Sequence, residues 1–198
     1  MNQTGTTARG LSEAIEILEA CLGDAALLEA MERTVDLVTD TLDRGGRILV
    51  CGNGGSMSDA MHFAEELSGR FRERRRALPA LALSDPAVLT CIANDFGFEE
   101  VFARQVEAHG RAGDLLLVLS TSGDSKNVLR AVQVARERGL KTVGMTGRDS
   151  GALSGQADVT VLVPRAKQSD RIQEVHLVLL HGLIESIEAR LALGTAGA

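Results

Sequence analysis

Tryptophan and tyrosine are absent from the 198 residues, and five phenylalanines are the whole aromatic complement. Proteins that hold nucleic acid present stacking faces along a basic stripe. This chain has neither, and its formal net charge is −6, so nucleic acid is not an expected partner. The one basic cluster, Arg70-Phe71-Arg72-Glu73-Arg74-Arg75-Arg76, is short, and phosphate is an alternative match for it. Long hydrophobic runs are missing too. No apolar stretch approaches the ~18 residues of a membrane-spanning helix, so no membrane association is expected. The opening MNQTGTTARG lacks the apolar core of a secretory signal. Cysteine is sparse and scattered, at Cys21, Cys51 and Cys91, with no C-x-x-C spacing. That pattern excludes the usual thiol metal and redox motifs. It fits three small core residues in a reducing cytoplasm, the expected location.

What is present is a chain with 44% hydrophobic residues, enough for one domain with a sizeable core over residues 1–198. Leu11, Ile15, Leu18 and Leu22 form one amphipathic stripe. Gly23-Asp24 breaks it, and Leu27, Leu28, Met31, Val35, Val38 and Leu42 form another before Gly45-Gly46. These predict N-terminal helices over about 11–44. Strand-like and helix-like segments then alternate. The strand-like runs are 47–51, 80–84, 115–120, 141–146 and 158–163. Helical patterns fall near 56–69, 86–92, 98–109, 125–138 and 149–155, and a long last helix spans about 169–192. Such alternation predicts an α/β fold, a parallel sheet covered by helices on both faces. The near-continuous apolar strands suit burial on both sides.

Ligands on sheets of this type sit beyond the carboxyl ends of the strands. The first strand runs into Gly52-Asn53-Gly54-Gly55-Ser56, which reads as a strand, a glycine loop and a helix. Bare backbone N–H groups in such a loop can approach an anion, although a tight turn needs the same glycines. Ser56-Met57-Ser58-Asp59 reads as a capping box with Asp59 in the place of the usual Glu or Gln. The third strand ends in Ser120-Thr121-Ser122-Gly123-Asp124-Ser125. A cap needs one hydroxyl. Four of them (Ser120, Thr121, Ser122 and Ser125) favour a phosphate site. Asn94-Asp95, placed in a loop before a helix, suits either sugar hydroxyls or helix capping.

His62 and Glu66 lie four apart on a predicted helix and share a face. The pair can offer nitrogen and oxygen to one metal ion, or act as a base with its orienting partner. Solvent exposure, with Glu66 paired to Arg70, is the plainer reading of H-x-x-x-E alone. Glu65, about 100° further round, is not expected to share the face of His62. On the last helix, Gln173, Leu177 and His181 follow at four-residue steps. Gln173 and His181 are then ~12 Å apart along the axis. They either converge on an atom between them or serve sites of different subunits. His176 lies nearly opposite, and the residues give it no role. His109, before Gly110, suits a helix C-terminus, where a cation is favoured.

Taken together, CGNGGS, AMHFAEELSGR, the segment Cys91–Phe102, STSGDS and DRIQEVH with the later His181 resemble the phosphoheptose isomerases of the sugar-isomerase (SIS) domain superfamily. The resemblance covers about residues 11–190. It implies a flavodoxin-like three-layer fold with a five-stranded parallel sheet of order 2-1-3-4-5. It implies a homotetramer with active sites at subunit contacts. Ser120, Thr121, Ser122 and Ser125 would hold the phosphate. Asn53, Gly54, Gly55, Asn94 and Asp95 would line the sugar site, with Ser56, Asp170, Gln173 and Glu66 among the substrate contacts. His62, Glu66, Gln173 and His181 match the family's Zn²⁺ ligands, and Glu66 and His181 match its catalytic base and acid. The implied reaction is isomerisation of sedoheptulose 7-phosphate to D-glycero-D-manno-heptose 7-phosphate, the first step towards nucleotide-activated heptose. Met57-Ser58 departs from the His-Cys pair of some members, and Arg74-Arg75-Arg76 replaces a run that usually contains proline. The rival reading is a non-catalytic member of the same fold that senses sugar phosphates or scaffolds a partner such as a replication initiator. Retention of His62, Glu66, Gln173 and His181 favours the enzyme.

Overall fold

Five apolar runs become five parallel strands in the computed structural model, which describes residues 3–147 and 151–192. The strands are β1 (Ile48–Gly52), β2 (Ala80–Ala82), β3 (Leu115–Ser120), β4 (Lys141–Gly147) and β5 (Val159–Val163). They are ordered β2-β1-β3-β4-β5, as the resemblance implies. Alternate residues feed opposite faces of the sheet, as the two-residue period of a strand requires. Ile48, Val50, Leu115, Leu117 and Leu119 enter one core. Leu49, Cys51, Leu116 and Val118 enter the other. Helices α1 (Gln3–Leu22), α2 (Ala25–Asp43), α3 (Gly55–Ser68) and α7 (Ser169–Arg190) cover the first face. Helices α4 (Pro86–Phe96), α5 (Ala103–His109) and α6 (Lys126–Glu137) cover the second.

Local chemistry explains several boundaries. Asp24 accepts hydrogen bonds from the amides of Ala26 and Leu27, so α2 starts with a side-chain cap. Asp85 does the same for Val88, with Pro86 following at the first helical position. His109 ends α5, as expected.

Other boundaries differ from the sequence reading. The helix expected over 98–109 divides into a 3₁₀ turn at Phe98–Glu100 and α5. The break at Val101-Phe102 drives both side chains fully into the second core, which an uninterrupted surface helix would not do. Helix α1 begins well before residue 11. Its Gly10 lets the guanidinium of Arg171 lie within 2.8 Å of where a Cβ would be, so tertiary contact with α7 outweighs glycine's poor helix propensity there. Strand β2 is shorter than 80–84 because its last bond to β1 is followed at once by a turn, Ser84 N–H to Ala82 C=O. A 3₁₀ turn covers Gly151–Gly155, and residues 149–150 of the helix expected near there lie outside the described residues. Cys21 and Cys51 are buried, but Cys91 is exposed on α4, so it is not a core residue. Its helix packs by Ile92 alone among fully buried side chains, which leaves Cys91 on the outer side.

Candidate active site

The sheet order sets β1 beside β3, so the glycine loop and the serine loop emerge side by side. Two amides tie them together. Asn53 Nδ2 donates to Asn127 Oδ1 at 2.9 Å, and Asn127 Nδ2 donates to Asn53 Oδ1 at 2.8 Å. Asn127 is buried in the first turn of α6 and was not singled out from the sequence; two asparagines 74 residues apart carry no local signal.

Gly54, with φ of 55°, occupies the left-handed region and is the residue before α3. No side chain caps that helix. The capping box is therefore not formed. The helix starts one residue ahead of Ser56, whose buried side chain packs instead where Gly52 lacks a Cβ. Asp59 keeps a buried Oδ2 that has no hydrogen-bond partner among the described residues, and burial pushes its carboxyl up to about 6, with His62 pulling the other way. Gly55 has a different purpose. A Cβ there would stand 2.5 Å from Gln173 Oε1, so the loop leaves room for α7 to lay Gln173 against it.

The catalytic candidates meet where α3 passes α7. His62 Nε2 and His181 Nε2 are 3.0 Å apart. Glu66 Oε1 is 3.4 Å from His62 Nε2, and Glu66 Oε2 is 3.6 Å from His181 Nε2. The rings meet edge to face, with centroids 5.3 Å apart, and the Phe71 ring centroid lies 5.7 Å from that of His181. Glu66 is mostly buried, with 12% of its side chain exposed, whereas the histidines are open to solvent at 39% and 37%. Glu66 thus faces the imidazoles, not Arg70. Glu65 corrects a second expectation, because its Oε1 lies 3.4 Å from His62 Nδ1. Residues three apart on a helix are neighbours as well as those four apart.

His62, Glu66 and His181 can hold a metal ion, since one donor atom from each lies within 4.8 Å of the others. Two features fit this. Two nitrogens of a tetrahedral zinc site stand ~3.3 Å apart for bonds of ~2.0–2.1 Å, near the distance seen. Glu66 Oε2 is also buried and has no hydrogen-bond partner among the described residues, an expensive state that a cation would relieve.

Behind the cluster, the arginine run has an architectural use. The Arg75 side chain is 1% exposed and pairs with Glu188 of α7 at 2.6 Å. It also donates to the carbonyls of Glu66, Leu67 and Arg76, satisfying the open end of α3. Arg72 pairs with Glu185. Two of the cluster's charges, Arg72 and Arg75, are therefore paired with α7.

At the serine loop, Ser120 is buried, accepts from Gly123 N–H and lies 3.3 Å from Ser125 Oγ. Beyond it is a cavity of about 360 Å³ bordered by Thr121, Ser122, Asp124 and the start of α7. A larger hollow of about 1150 Å³, between the α1–α2 junction and the loop before α7, holds none of the candidate catalytic residues. Asn94 and Asp95 are in the last turn of α4, not in a loop, and are exposed. Asn94 Nδ2 donates to Asp95 Oδ1 at 2.6 Å, with Cys91 Sγ 3.7 Å from Asp95. Asp170 is exposed in the first turn of α7.

His176 is the buried histidine of α7. Among the described residues neither ring nitrogen makes a well-formed hydrogen bond, and the Thr146 backbone is the polar group nearest to satisfying one. Burial pushes His176 down to about 4, with the nearby Thr146 backbone offsetting part of the effect.

Comparison with known proteins agrees with this architecture. The SIS domain model matches residues 11–147. A phosphoheptose isomerase from Klebsiella pneumoniae is 51% identical over 184 residues, covering 93% of this chain and 95% of that one. One from Escherichia fergusonii is 50% identical over 182 residues, covering 92% and 95%. Among solved structures, phosphoheptose isomerase GmhA from Neisseria gonorrhoeae superposes with a TM-score of 0.88 at 39% identity, over 94% of this chain and 98% of that one. A phosphoheptose isomerase from Francisella tularensis gives 0.90 at 35% identity, over 96% and 100%.

Proposed function

Because the chain belongs to the SIS domain family, and within it to the phosphoheptose isomerases, we propose that His62, Glu66, Gln173 and His181 carry out the interconversion of sedoheptulose 7-phosphate and D-glycero-D-manno-heptose 7-phosphate. The enzyme is an aldose–ketose isomerase of heptose biosynthesis. The observation that supports this division of labour is the meeting of Glu66 with His62 and His181 from two distant helices.

The reaction moves a carbonyl from C2 to C1. Glu66 takes the proton from C1, leaving an enediol, and returns it to C2. A positioned carboxylate base contributes ~10²–10⁴-fold. His181 moves the hydroxyl proton between O2 and O1, a task suited to an imidazole. Glu66 is mostly buried beside the two more open histidines, so the base is shielded from bulk water where it meets the substrate. Asn53, Gly54, Gly55, Ser56, Asn94, Asp95, Asp170 and Gln173 contact the sugar. Ser120, Thr121, Ser122 and Ser125 hold the phosphate.

Zinc is the proposed metal, held by His62, Glu66 and His181 with Gln173 as fourth ligand. When bound it would supply positive charge for the oxygens that become negative as the carbonyl migrates. Glu66 has to be free of the metal while it holds the substrate proton.

The proposed assembly is a cytoplasmic homotetramer of single-domain subunits with sites at subunit contacts. Its support is the exposed apolar edge of α1 and α2, with Leu11, Ile15 and Leu22 more than half exposed, and the free state of all three cysteines.

The test is turnover of sedoheptulose 7-phosphate in D₂O followed by NMR, with and without a chelator. Deuterium at C2 of the aldose and a chelator-sensitive rate are expected. An unchanged substrate would overturn the assignment, and a rate indifferent to chelation would remove the metal from it.

A further inference from the structure

The serine loop brings hydroxyls and amides to its cavity but no positive charge. A phosphomonoester near neutral pH carries close to two negative charges. The same cavity is also bordered by a carboxylate, Asp124. One of its oxygens is held by the Ala152 amide at 2.9 Å, which keeps the negative group in place beside the anion it would repel. A cation on the cavity wall would offset both, adding to the pull of the α6 N-terminus at the end of the serine loop. Among the described residues that border the cavity, Lys167 is the one cation.

The backbone holds this lysine in position. Lys167 lies in the short connection between β5 and α7. Its neighbour Ala166 is a plug in the core, 1% exposed, and the Ala166 amide donates to Pro164 C=O at 2.7 Å. Arg165 adopts a positive φ of 60°, which a non-glycine residue accepts only where surrounding structure requires the turn. Two residues on, Ser169 opens α7, and its hydroxyl lies 3.3 Å from Thr121 Oγ1 of the serine loop. The connection and the loop therefore close on the same space.

We infer that Lys167, with Ser169, forms the second wall of the phosphate cavity and sets its affinity for the phosphate dianion. This rests on the isomerase reading above and assigns it a binding residue outside the serine loop. The phosphate stays distant from the carbons that react, so Lys167 binds ground state and transition state alike. Loss of such uniform binding raises KM and leaves kcat in place.

The experiment compares wild type with Lys167→Met, Lys167→Arg and Ser169→Ala. Two readouts are used: steady-state kinetics on sedoheptulose 7-phosphate, and calorimetric binding of inorganic phosphate. Lys167→Met is expected to raise KM and weaken phosphate binding about tenfold, the size of one lost charge-assisted contact, with kcat within about twofold. Lys167→Arg should recover most of the loss, and added salt should narrow the gap between wild type and Lys167→Met. Equal phosphate affinity in wild type and Lys167→Met would overturn the inference, as would a wild type that binds no phosphate. If wild type fails to turn over the sugar yet binds phosphate in a Lys167-dependent manner, the isomerase reading falls and the phosphate wall stands. Lys167 is exposed, so folding of the variants is checked simply by their melting temperatures.

Discussion

His62 and His181 are 119 residues apart in the chain, yet their Nε2 atoms stand 3.0 Å from each other. Neutral imidazoles can share such a contact only if one presents N–H and the other its lone pair. With Glu66 beside both, the alternative is that both lone pairs point at one cation. That choice governs how the site responds to mutation.

Glu66→Gln keeps shape and a possible oxygen donor but removes the base. Turnover is expected to fall by at least ~10³-fold, within the range general base catalysis supplies. Binding of the sugar phosphate, measured by calorimetry, is expected to persist. A variant retaining near-normal kcat would remove Glu66 from the chemistry.

Gly55→Ala tests the placement of Gln173. The new methyl would overlap the end of that flexible side chain, 2.5 Å from its oxygen. The amide can swing away, so the melting temperature should drop by only a few degrees. The displaced amide should lower kcat and metal content per subunit. Full activity with full metal content would show that Gln173 is not a ligand in its present position.

Arg75→Met removes a charge that is 1% exposed and leaves Glu188 and three carbonyls without it. Breaking a buried pair from one side destabilises by ~3 kcal/mol or more. Denaturant unfolding should show that loss in the midpoint. Because Arg75 holds the carbonyl of Glu66, activity should fall further than stability alone explains.

The buried His176 makes stability pH-dependent. Its folded pKa, about 4, lies below the ordinary 6.5. Between these values the unfolded chain binds the proton more readily, so stability is full above about 6.5 and is lost as pH falls towards 4. The limit is ~1.4 kcal/mol per unit of that window. Asp59 works in the opposite sense, since its carboxyl is raised from 3.8 to about 6. It gains relative stability as pH falls through that range. The measurement is therefore the difference between wild type and His176→Leu across pH 7 to 4. The variant should lose less stability on acidification, and parallel curves would contradict the burial account.

The two kinds of information in this protein divide along a physical line. Strands, loops and most helices follow from apolar period and from glycine, proline and capping residues, all of which act over a few neighbours. Hence β1, β3, β4 and β5 stand close to their expected limits, and the sequence alone placed His62 and Glu66 on one face of a helix. The contacts that assemble a site arise from sheet order and helix packing, which join residues with no local relationship. Only the folded chain brings Asn53 to Asn127 and His62 to His181, turns Arg75 inwards and leaves Cys91 outside. It also breaks the helix at Val101-Phe102, because burying two large side chains outweighs continuing one helical ladder.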